Sequence, residues 1–313
     1  MPLTQLQRAS WREHGYLAIP GFFEESEVRC VERVLEETWE ARPADVTVDD
    51  LVTGERLHAS SVTDEARAHT FKINDLYLRS PELRKVASSE RVVELLGELL
   101  DDVPVVCNTL NLPCGSQQED HLDTLYMTPR TEGALLATWM ALEDVAPDAG
   151  PLRYYPGSQA IRPYRFSSGS LHVEYDEMDD WAHYMADAVD RSGLEEQRFL
   201  ARRGDLFIWS AFLLHGGTNI ETRGRTRNSL VTHFWTRSDC EAVGSVTRPV
   251  ESGAGLWLVR PPQPVPGEEA TPEERELSER AHAEEFVTAA RDDTPPRSRS
   301  LYDRLRALAS SRH

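Results

Sequence analysis

The sequence predicts a mainly β protein with flanking helices. Three observations carry this prediction. Apolar residues recur at helical spacing in the first hundred positions, short apolar runs follow one another over about residues 101–240, and a long polar segment, 162–198, interrupts them. Short strands at such spacing are typical of a β-sandwich or barrel, and helices followed by strands do not fit a doubly wound α/β fold.

The helices of the N-terminal part, residues 1–100, are predicted from capping and periodicity. Thr4 is suited to open a short helix over 4–14, and the following GYLAIPGFF alternates like a strand that Pro20-Gly21 ends. Apolar residues at helical spacing predict two further helices, Glu24 to Thr38 and Glu90 to Leu100.

The strands of the expected core are bounded by turn residues. They are predicted over VPVVCNTLNL, HLDTLYM, ALLATWMALEDV (134–145), GDLFIWSAFLLHG (204–216) and NSLVTHFWT (228–236). The 162–198 insertion is expected to form a helical lid. We therefore expect one domain over 1–260, followed over 261–313 by a proline-rich linker and a charged helical tail.

Composition limits the classes of partner. The formal charge of −19 argues against nucleic acid and against an anionic membrane surface, since both require concentrated cationic surface. The longest apolar runs are too short to span a bilayer, and the N-terminus lacks the apolar centre of a secretory signal, so a cytoplasmic location is expected. Four cysteines without a CxxC pair indicate free thiols. The oligomeric state is left open.

The motif His121-Leu122-Asp123 is the first indication of a metal site. In a strand, residues i and i+2 point to the same face, so His121 and Asp123 could hold one ion. Such a motif alone is more often a surface pair.

His215 and Arg227 strengthen the metal hypothesis. His215 ends an apolar strand, where a buried core histidine is the alternative, and Arg227 opens the next strand, so a hairpin would bring the two together. Two imidazoles and a carboxylate form the facial triad of non-haem Fe(II) oxygenases. A guanidinium has the fork geometry that binds a carboxylate. Together these residues predict a 2-oxoglutarate-dependent iron oxygenase.

Around these residues the sequence resembles the phytanoyl-CoA dioxygenase (PhyH) family of Fe(II)/2-oxoglutarate enzymes, which have a double-stranded β-helix (jelly-roll, cupin-like) core. The resemblance extends over about residues 10–240. It is carried by HGYLAIPGFF, HLD, WMALEDVAPDAGPLRYYPGSQ, GDLFIWSAFLLHGGTN and RNSLVTHFW, of which the third is the most specific.

The resemblance implies roles for individual residues. His121, Asp123 and His215 would bind Fe(II), and Arg227 would bind the distal carboxylate of 2-oxoglutarate, with O2 as the second co-substrate. The usual gap from the distal histidine to the arginine is about one residue shorter in the family, so Arg225 competes with Arg227.

Other co-substrate contacts are less determined. Trp139 would line the pocket, although a core aromatic is an equal alternative. The serine that relatives often carry is replaced by Gly217, which leaves Thr218 as the nearest hydroxyl. The remaining candidates for the second carboxylate, each with a solvated or turn-capping alternative, are Lys72, Asn108 and Asn111.

The expected reaction is hydroxylation, or another oxidation, of an unactivated C–H bond in a small molecule of bacterial specialised metabolism, with release of succinate and CO2. Related halogenases replace the carboxylate ligand, so Asp123 argues against chlorination, while desaturation, ring closure and epimerisation stay open. The alternatives are a cupin-like Zn or Mn isomerase or hydrolase without 2-oxoglutarate, and a non-catalytic binding domain. The acidic 162–198 segment favours a cationic or polyhydroxylated substrate, unless it is simply a solvated helix.

Overall fold

The structure is a computed structural model that describes residues 2–242 and 248–268. Its strands in chain order are β1 (Tyr16–Ile19), β2 (Thr47–Asp50), β3 (Arg56–His58), β4 (Phe71–Asn74), β5 (Pro104–Leu112), β6 (Leu135–Ala141), β7 (Leu152–Tyr154), β8 (Gln197–Phe199), β9 (Leu206–Ser210), β10 (His215–Gly217), β11 (Ser229–Thr236), β12 (Arg248–Ser252) and β13 (Gly255–Val259). The helices are α1 (Gln5–His14), α2 (Glu25–Ala41), α3 (Pro81–Ala87), α4 (Glu90–Leu100), α5 (Met178–Ser192) and α6 (Arg237–Ala242).

The strands form two sheets. The larger has the order β1-β9-β6-β11-β5-β4-β2-β3, with β13 parallel to β5 and β12 beside β13. The smaller has the order β10-β7-β8. β11 lies at the centre of the larger sheet, where it is antiparallel to both β5 and β6.

The two faces of β9 show how the core is divided. Leu206 and Ile208 belong to an apolar cluster with residues of helices α2, α3 and α4. Phe207 and Trp209 point the other way and pack in a second cluster with Tyr154 of the smaller sheet. Because successive strand residues alternate between faces, one sheet can bind helices on one side and a second sheet on the other. The molecule is a two-sheet sandwich of jelly-roll type with flanking helices, and the predicted fold class is confirmed.

The N-terminal helices form where the sequence predicts them. Thr4 caps α1 in a capping box with Gln7, and Gly15 ends the helix in the left-handed conformation, at φ 76°. On α2, Val28, Val31 and Leu35 are buried in the core. Strands β2, β3 and β4 lie within the same first hundred residues and extend the larger sheet, so this part is less purely helical than expected.

The prediction of a strand over HLDTLYM is wrong. His121 forms only an isolated bridge with His215, and Asp123–Leu125 is a 3-10 turn. The amides of Tyr126 and Met127 both donate to the carbonyl of Asp123. The hydrogen bonds of these two amides therefore close locally, and neither amide can pair with a neighbouring strand.

The single strand predicted over 204–216 is two strands in different sheets. β9 ends at Ser210, the Leu213 amide donates to the Ser210 carbonyl in a turn, and β10 begins at His215. β10 pairs with β7, whereas β11 pairs with β5 and β6, so His215 and Arg227 are not joined by the predicted hairpin. The strand predicted over 134–145 ends earlier, at Ala141.

The 162–198 insertion contains the expected helix, α5. Its apolar face packs with residues that flank the two histidines of the bridge; this cluster includes Trp181, Met185, Val189, Leu122, Leu125 and Leu214. The charged helical tail predicted after the proline-rich linker lies outside the described residues. Within 2–242 and 248–268, no helix has the length and apolar character needed to cross a membrane.

Candidate metal centre and co-substrate pocket

Three possible metal ligands meet where the two sheets come together. The backbones of His121 and His215 hydrogen-bond to each other in both directions, at 2.8 and 3.1 Å. Asp123 follows at the start of the 3-10 turn. One ligand atom from each residue lies within 4.8 Å of the other two, and all three residues are buried.

Both imidazoles are oriented by backbone carbonyls. His121 Nδ1 lies 2.8 Å from the Glu119 carbonyl, and His215 Nδ1 lies 2.9 Å from the Leu213 carbonyl. A carbonyl can only accept, so each Nδ1 carries the hydrogen and a neutral ring leaves Nε2 as a free donor atom for a metal. The two Nε2 atoms lie 3.9 and 3.6 Å from Asp123 Oδ1.

Electrostatics favours the metal-binding protonation states. Burial, together with the nearby His215, lowers the pKa of His121 to about 4, so this ring is neutral at pH 7. Burial acts to raise the pKa of Asp123, but the surrounding imidazoles of His215 and His233 outweigh it and hold the pKa below its ordinary value. A metal requires neutral imidazoles and ionised carboxylates as ligands.

The donor set fits iron. Two imidazole nitrogens and one carboxylate oxygen make up the 2-His-1-carboxylate arrangement of non-haem Fe(II) oxygenases, which leaves coordination positions open for other ligands.

Arg227 lies in the pocket that adjoins the three ligands. Its side chain is only 2% exposed, and Nη1 donates to the Gly150 carbonyl at 3.0 Å. Within the described residues its Nε has no hydrogen-bond partner, and burial lowers the pKa of the guanidinium to about 10. A buried cation without a counter-charge is costly, so this position is suited to an anionic ligand.

Arg225 is placed differently from Arg227. Its side chain is 52% exposed and forms an ion pair with Asp148 at 3.1 Å. It is not among the residues that line the pocket. Of the two arginines, only Arg227 faces the metal ligands.

Trp139 forms part of the pocket wall. It is buried, and the guanidinium carbon of Arg227 lies 5.7 Å from its ring. Its indole Nε1 has no hydrogen-bond partner in the described part of the chain. The residues that line the pocket are Leu110, Ser116, Gln118, His121, Asp123, Trp139, Leu152, Trp209, His215, Gly216, Arg227, Val231 and His233.

The other predicted co-substrate residues do not line the pocket. Lys72 pairs with Asp49 at 2.7 Å, on the β2–β4 side of the larger sheet. Asn111 donates to Asn228 and to the Ser229 carbonyl. The Thr218 hydroxyl donates to the Pro151 carbonyl.

Asn108 is buried behind the pocket, where its side chain contacts His233.

Two residues of the centre were not predicted from the sequence. The indole Nε1 of Trp209 donates to Asp123 Oδ2 at 2.8 Å, and His233 Nε2 lies 3.6 Å from the same oxygen. For His233 the sequence does contain an indication. Strand side chains alternate between faces, so His233 lies on the same face of β11 as Val231. Counting back two residues at a time from His233 reaches Arg227.

The segment QQED, which precedes His121, connects its loop to β7 and β10 of the smaller sheet. Asp120 accepts from Arg153 Nε at 2.5 Å and from the Tyr155 hydroxyl at 3.2 Å. The Gly217 amide donates to the Gln118 carbonyl.

Comparisons with known proteins agree with this geometry. The family model for phytanoyl-CoA dioxygenase (PhyH) matches residues 11–229. A search of curated protein sequences found no match.

Solved structures with the same fold include the non-heme alpha ketoglutarate dependent carbocyclase SnoK from nogalamycin biosynthesis, at 19% identity and a TM-score of 0.57 over 75% of this chain and 85% of that one. They also include EctD from S. alaskensis with 2-oxoglutarate and 5-hydroxyectoine, at 17% identity and a TM-score of 0.54 over 86% of each chain. A third is the epimerase SnoN, in complex with Fe3+, alpha ketoglutarate and nogalamycin RO, at 17% identity and a TM-score of 0.53 over 82% of this chain and 98% of that one.

The family model covers more than two thirds of the sequence, and the ligand set and buried arginine lie within that span. The chain therefore belongs to the phytanoyl-CoA dioxygenase (PhyH) family, as an oxygenase that works with iron, 2-oxoglutarate and O2.

Proposed function

We propose that this protein oxidises an unactivated C–H bond of a small molecule, with hydroxylation as its reaction. His121, Asp123 and His215 would hold Fe(II), and Arg227 would bind the distal carboxylate of 2-oxoglutarate. The observation that carries the proposal is the buried guanidinium of Arg227. It has an unpaired Nε and lies in the pocket that the three ligands also line.

The chain's own residues would orient the reactants and keep water out. Bound iron, with 2-oxoglutarate and O2, supplies the oxidising power for hydrogen abstraction, and succinate and CO2 are released. Arg227 would fix one end of 2-oxoglutarate by charge-assisted hydrogen bonds, with its other end directed towards the triad. Leu110, Val231 and Trp139 form an apolar wall, which strengthens these electrostatic contacts by excluding solvent.

Asp123 bears on the outcome of the reaction. Related halogenases replace the carboxylate ligand, so the presence of Asp123 among the three candidate ligands favours hydroxylation over chlorination. SnoK is a carbocyclase and SnoN an epimerase on the same fold, so ring closure and epimerisation stay open as alternatives.

For the substrate we propose a cationic or polyhydroxylated small molecule of bacterial specialised metabolism, acted on in the cytoplasm. The lid, residues 162–198, contacts the segment that follows His121 and Asp123. The Val173 amide of the lid donates to the Leu125 carbonyl at 3.0 Å. Next to this contact, the half-exposed ring of Tyr126 lies 5.8 Å from that of His121. The lid carries exposed carboxylates that would attract a cation; they are Asp176, Asp179, Asp180 and Asp187.

The decisive experiment is a screen of candidate metabolites for substrate-dependent release of succinate in the presence of Fe(II), 2-oxoglutarate and ascorbate. We expect the wild-type protein to show the visible charge-transfer band of an Fe(II)–2-oxoglutarate chelate. Asp123→Ala should lose hydroxylation and most of the band, because one of three protein ligands is removed. The near-isosteric Thr232→Val, on the opposite face of β11 from His233, is the matched control. Full activity in Asp123→Ala, or no band in the wild type, would contradict the proposal.

A further inference from the structure

Two exposed tyrosines lie close to the metal centre. Tyr126 follows the 3-10 turn Asp123–Leu125, and its ring lies 5.8 Å from that of His121. Tyr175 begins a 3-10 turn of the lid, just before α5. Tyr126 is 42% exposed and Tyr175 is 79% exposed. A single exposed ring is common on protein surfaces, but rings exposed in one place often mark a binding site.

The backbone brings the two tyrosines to the same place. The Val173 amide donates to the Leu125 carbonyl at 3.0 Å, so the segment that leads to Tyr175 runs beside the turn that leads to Tyr126. Burial, and after it the nearby Tyr175, raise the pKa of Tyr126 above its ordinary value. Within the described residues neither ring stacks on the other, and the ring contact of Tyr126 is with His121. One ligand group could therefore contact both tyrosines.

Neither tyrosine belongs to the pocket that contains Arg227. The wall of that pocket includes Arg227 and Trp139, and the proposed function gives the pocket to 2-oxoglutarate. A substrate must then approach the three ligands from outside this wall. Tyr126 lies outside it and next to His121, so the tyrosines are placed to contact the substrate and not the co-substrate.

The surroundings of Tyr175 are acidic. Glu174 and Asp176 flank it in the chain, and neither carboxylate forms an ion pair with any residue that the structure describes. Between Arg165 and Arg191 the sequence contains no lysine or arginine. This charge attracts a cation, repels an anion and gives a neutral sugar no advantage.

Tyrosine rings select among cations. The face of an aromatic ring attracts a cation that lies within about 6 Å of its centroid. A primary ammonium gives up hydrogen bonds to water when it is desolvated, and a ring face does not replace them. A nitrogen that carries alkyl groups has fewer such bonds to lose, and its carbon atoms pack on the ring, as in the aromatic cages that bind quaternary ammonium groups.

We propose that Tyr126 and Tyr175 form a subsite that binds an alkylated or quaternary ammonium group of the substrate. This inference rests on the proposed function, and it narrows the substrate from cationic or polyhydroxylated to this kind of cation. The oxidised C–H bond would lie only a few bonds from the charged nitrogen, because Tyr126 is next to the proposed iron ligand His121.

The test uses two probes of the same shape: choline, and its uncharged analogue in which a carbon atom replaces the nitrogen. Each is titrated into the full-length protein with Zn(II) and 2-oxoglutarate present, and the dissociation constant is taken from the proton NMR shift of the probe's methyl groups. We expect choline to bind more tightly than the analogue. Tyr126→Leu and Tyr175→Leu should each raise the dissociation constant for choline about 2- to 5-fold, as expected for one lost cation–π contact, and change that of the analogue much less.

Tyr126→Phe and Tyr175→Phe are the matched controls. They keep a ring at each position and should bind choline nearly as the wild type does. If both leucine variants bind choline as tightly as the wild type, or if the wild type binds the two probes equally, the inference is overturned.

The titration requires no turnover, so its result is separate from that of the proposed function. A wild type that shows the expected difference between the probes but no Fe(II)–2-oxoglutarate band would support the cation subsite and contradict the oxygenase. A wild type that shows the band but binds the two probes equally would support the oxygenase and overturn the subsite.

Discussion

Arg225 and Arg227 are two residues apart, yet one is in solvent and the other is buried. The difference arises where the loop before β11 ends and the chain enters the sandwich. Arg225 precedes β11 and reaches Asp148 at the surface, while Arg227 enters the sandwich beside the first residues of the strand. Sequence spacing left both open, because the family's usual gap falls on Thr226, between the two arginines.

We predict that Arg227→Ala raises the KM for 2-oxoglutarate by roughly 10- to 100-fold, because hydrogen bonds to charged groups contribute about 1.5–3 kcal/mol. Arg225→Ala should change it by less than about 3-fold, since exposed ion pairs contribute little. The measurement is succinate release against 2-oxoglutarate concentration. The reverse ranking would mean that Arg225 is the anchor.

At the residue scale, the sequence predicted the side chains that could bind iron and a carboxylate, but it did not predict the side chains that contact them. His121, Asp123, His215 and Arg227 could be proposed because their side-chain types suit iron and a carboxylate. Trp209 could not, since a tryptophan within an apolar strand is indistinguishable from a core residue until Asp123 is placed beside it.

At the element scale, the loop before His121 depends on two glycines of β10. A Cβ at Gly216 would lie 2.7 Å from Asp120 Oδ1 and 2.8 Å from the Gln118 carbonyl oxygen. A Cβ at Gly217 would lie 2.5 Å from the Ser116 hydroxyl and 2.7 Å from the Gln117 amide. The glycines permit the close approach that lets His121 and His215 bridge.

We predict that Gly216→Ala lowers the free energy of unfolding by about 1–3 kcal/mol and weakens metal binding, because backbone atoms must move. Gly97→Ala is the matched control. It lies in α4, where the added Cβ would meet its nearest neighbour at 3.5 Å, and alanine favours a helix by about 0.5–1 kcal/mol. Denaturant unfolding and Co(II) titration of both variants measure the effects. A Gly216→Ala protein as stable as Gly97→Ala would show that the loop is not fixed by this contact.

The same elements show why periodicity gave only part of the fold. The apolar run over 204–216 reads as continuous, because β9 and the crossing to β10 are both buried. Hydrophobicity reports burial, but it does not report which sheet a strand joins. α1 was predictable from its cap and α4 from its apolar spacing, because both signals are local.

At the scale of the whole molecule, net charge and the lid act together. The chain carries a formal charge of −19, and exposed carboxylates are concentrated near the start of α5. The resulting negative electrostatic potential attracts cations to the surface, and it becomes weaker as the salt concentration rises.

We predict that replacing Asp176, Asp179, Asp180 and Asp187 with asparagine raises the KM for a cationic substrate several-fold and leaves kcat unchanged. The wild-type KM should rise with ionic strength, and the quadruple variant should show a smaller rise. KM and kcat are measured at several ionic strengths from succinate release, with the substrate found by screening. A control set, Glu36, Glu37 and Glu40 to glutamine on α2, removes charge away from the lid. Equal KM values for all three proteins would remove the electrostatic role of the lid.

The parallel pairing of β13 with β5 bears on how short this protein can be made. Three proposed iron ligands and the buried arginine all precede residue 229, where the family match ends. Arg260 lies thirty-one residues beyond that boundary, yet it reaches the strand that supports the metal site. A chain trimmed at the family boundary would keep every proposed ligand but lose the central strand β11 and the contacts of Arg260 with Asp75 and β5. We therefore expect the folded unit to extend through the hairpin of β12 and β13.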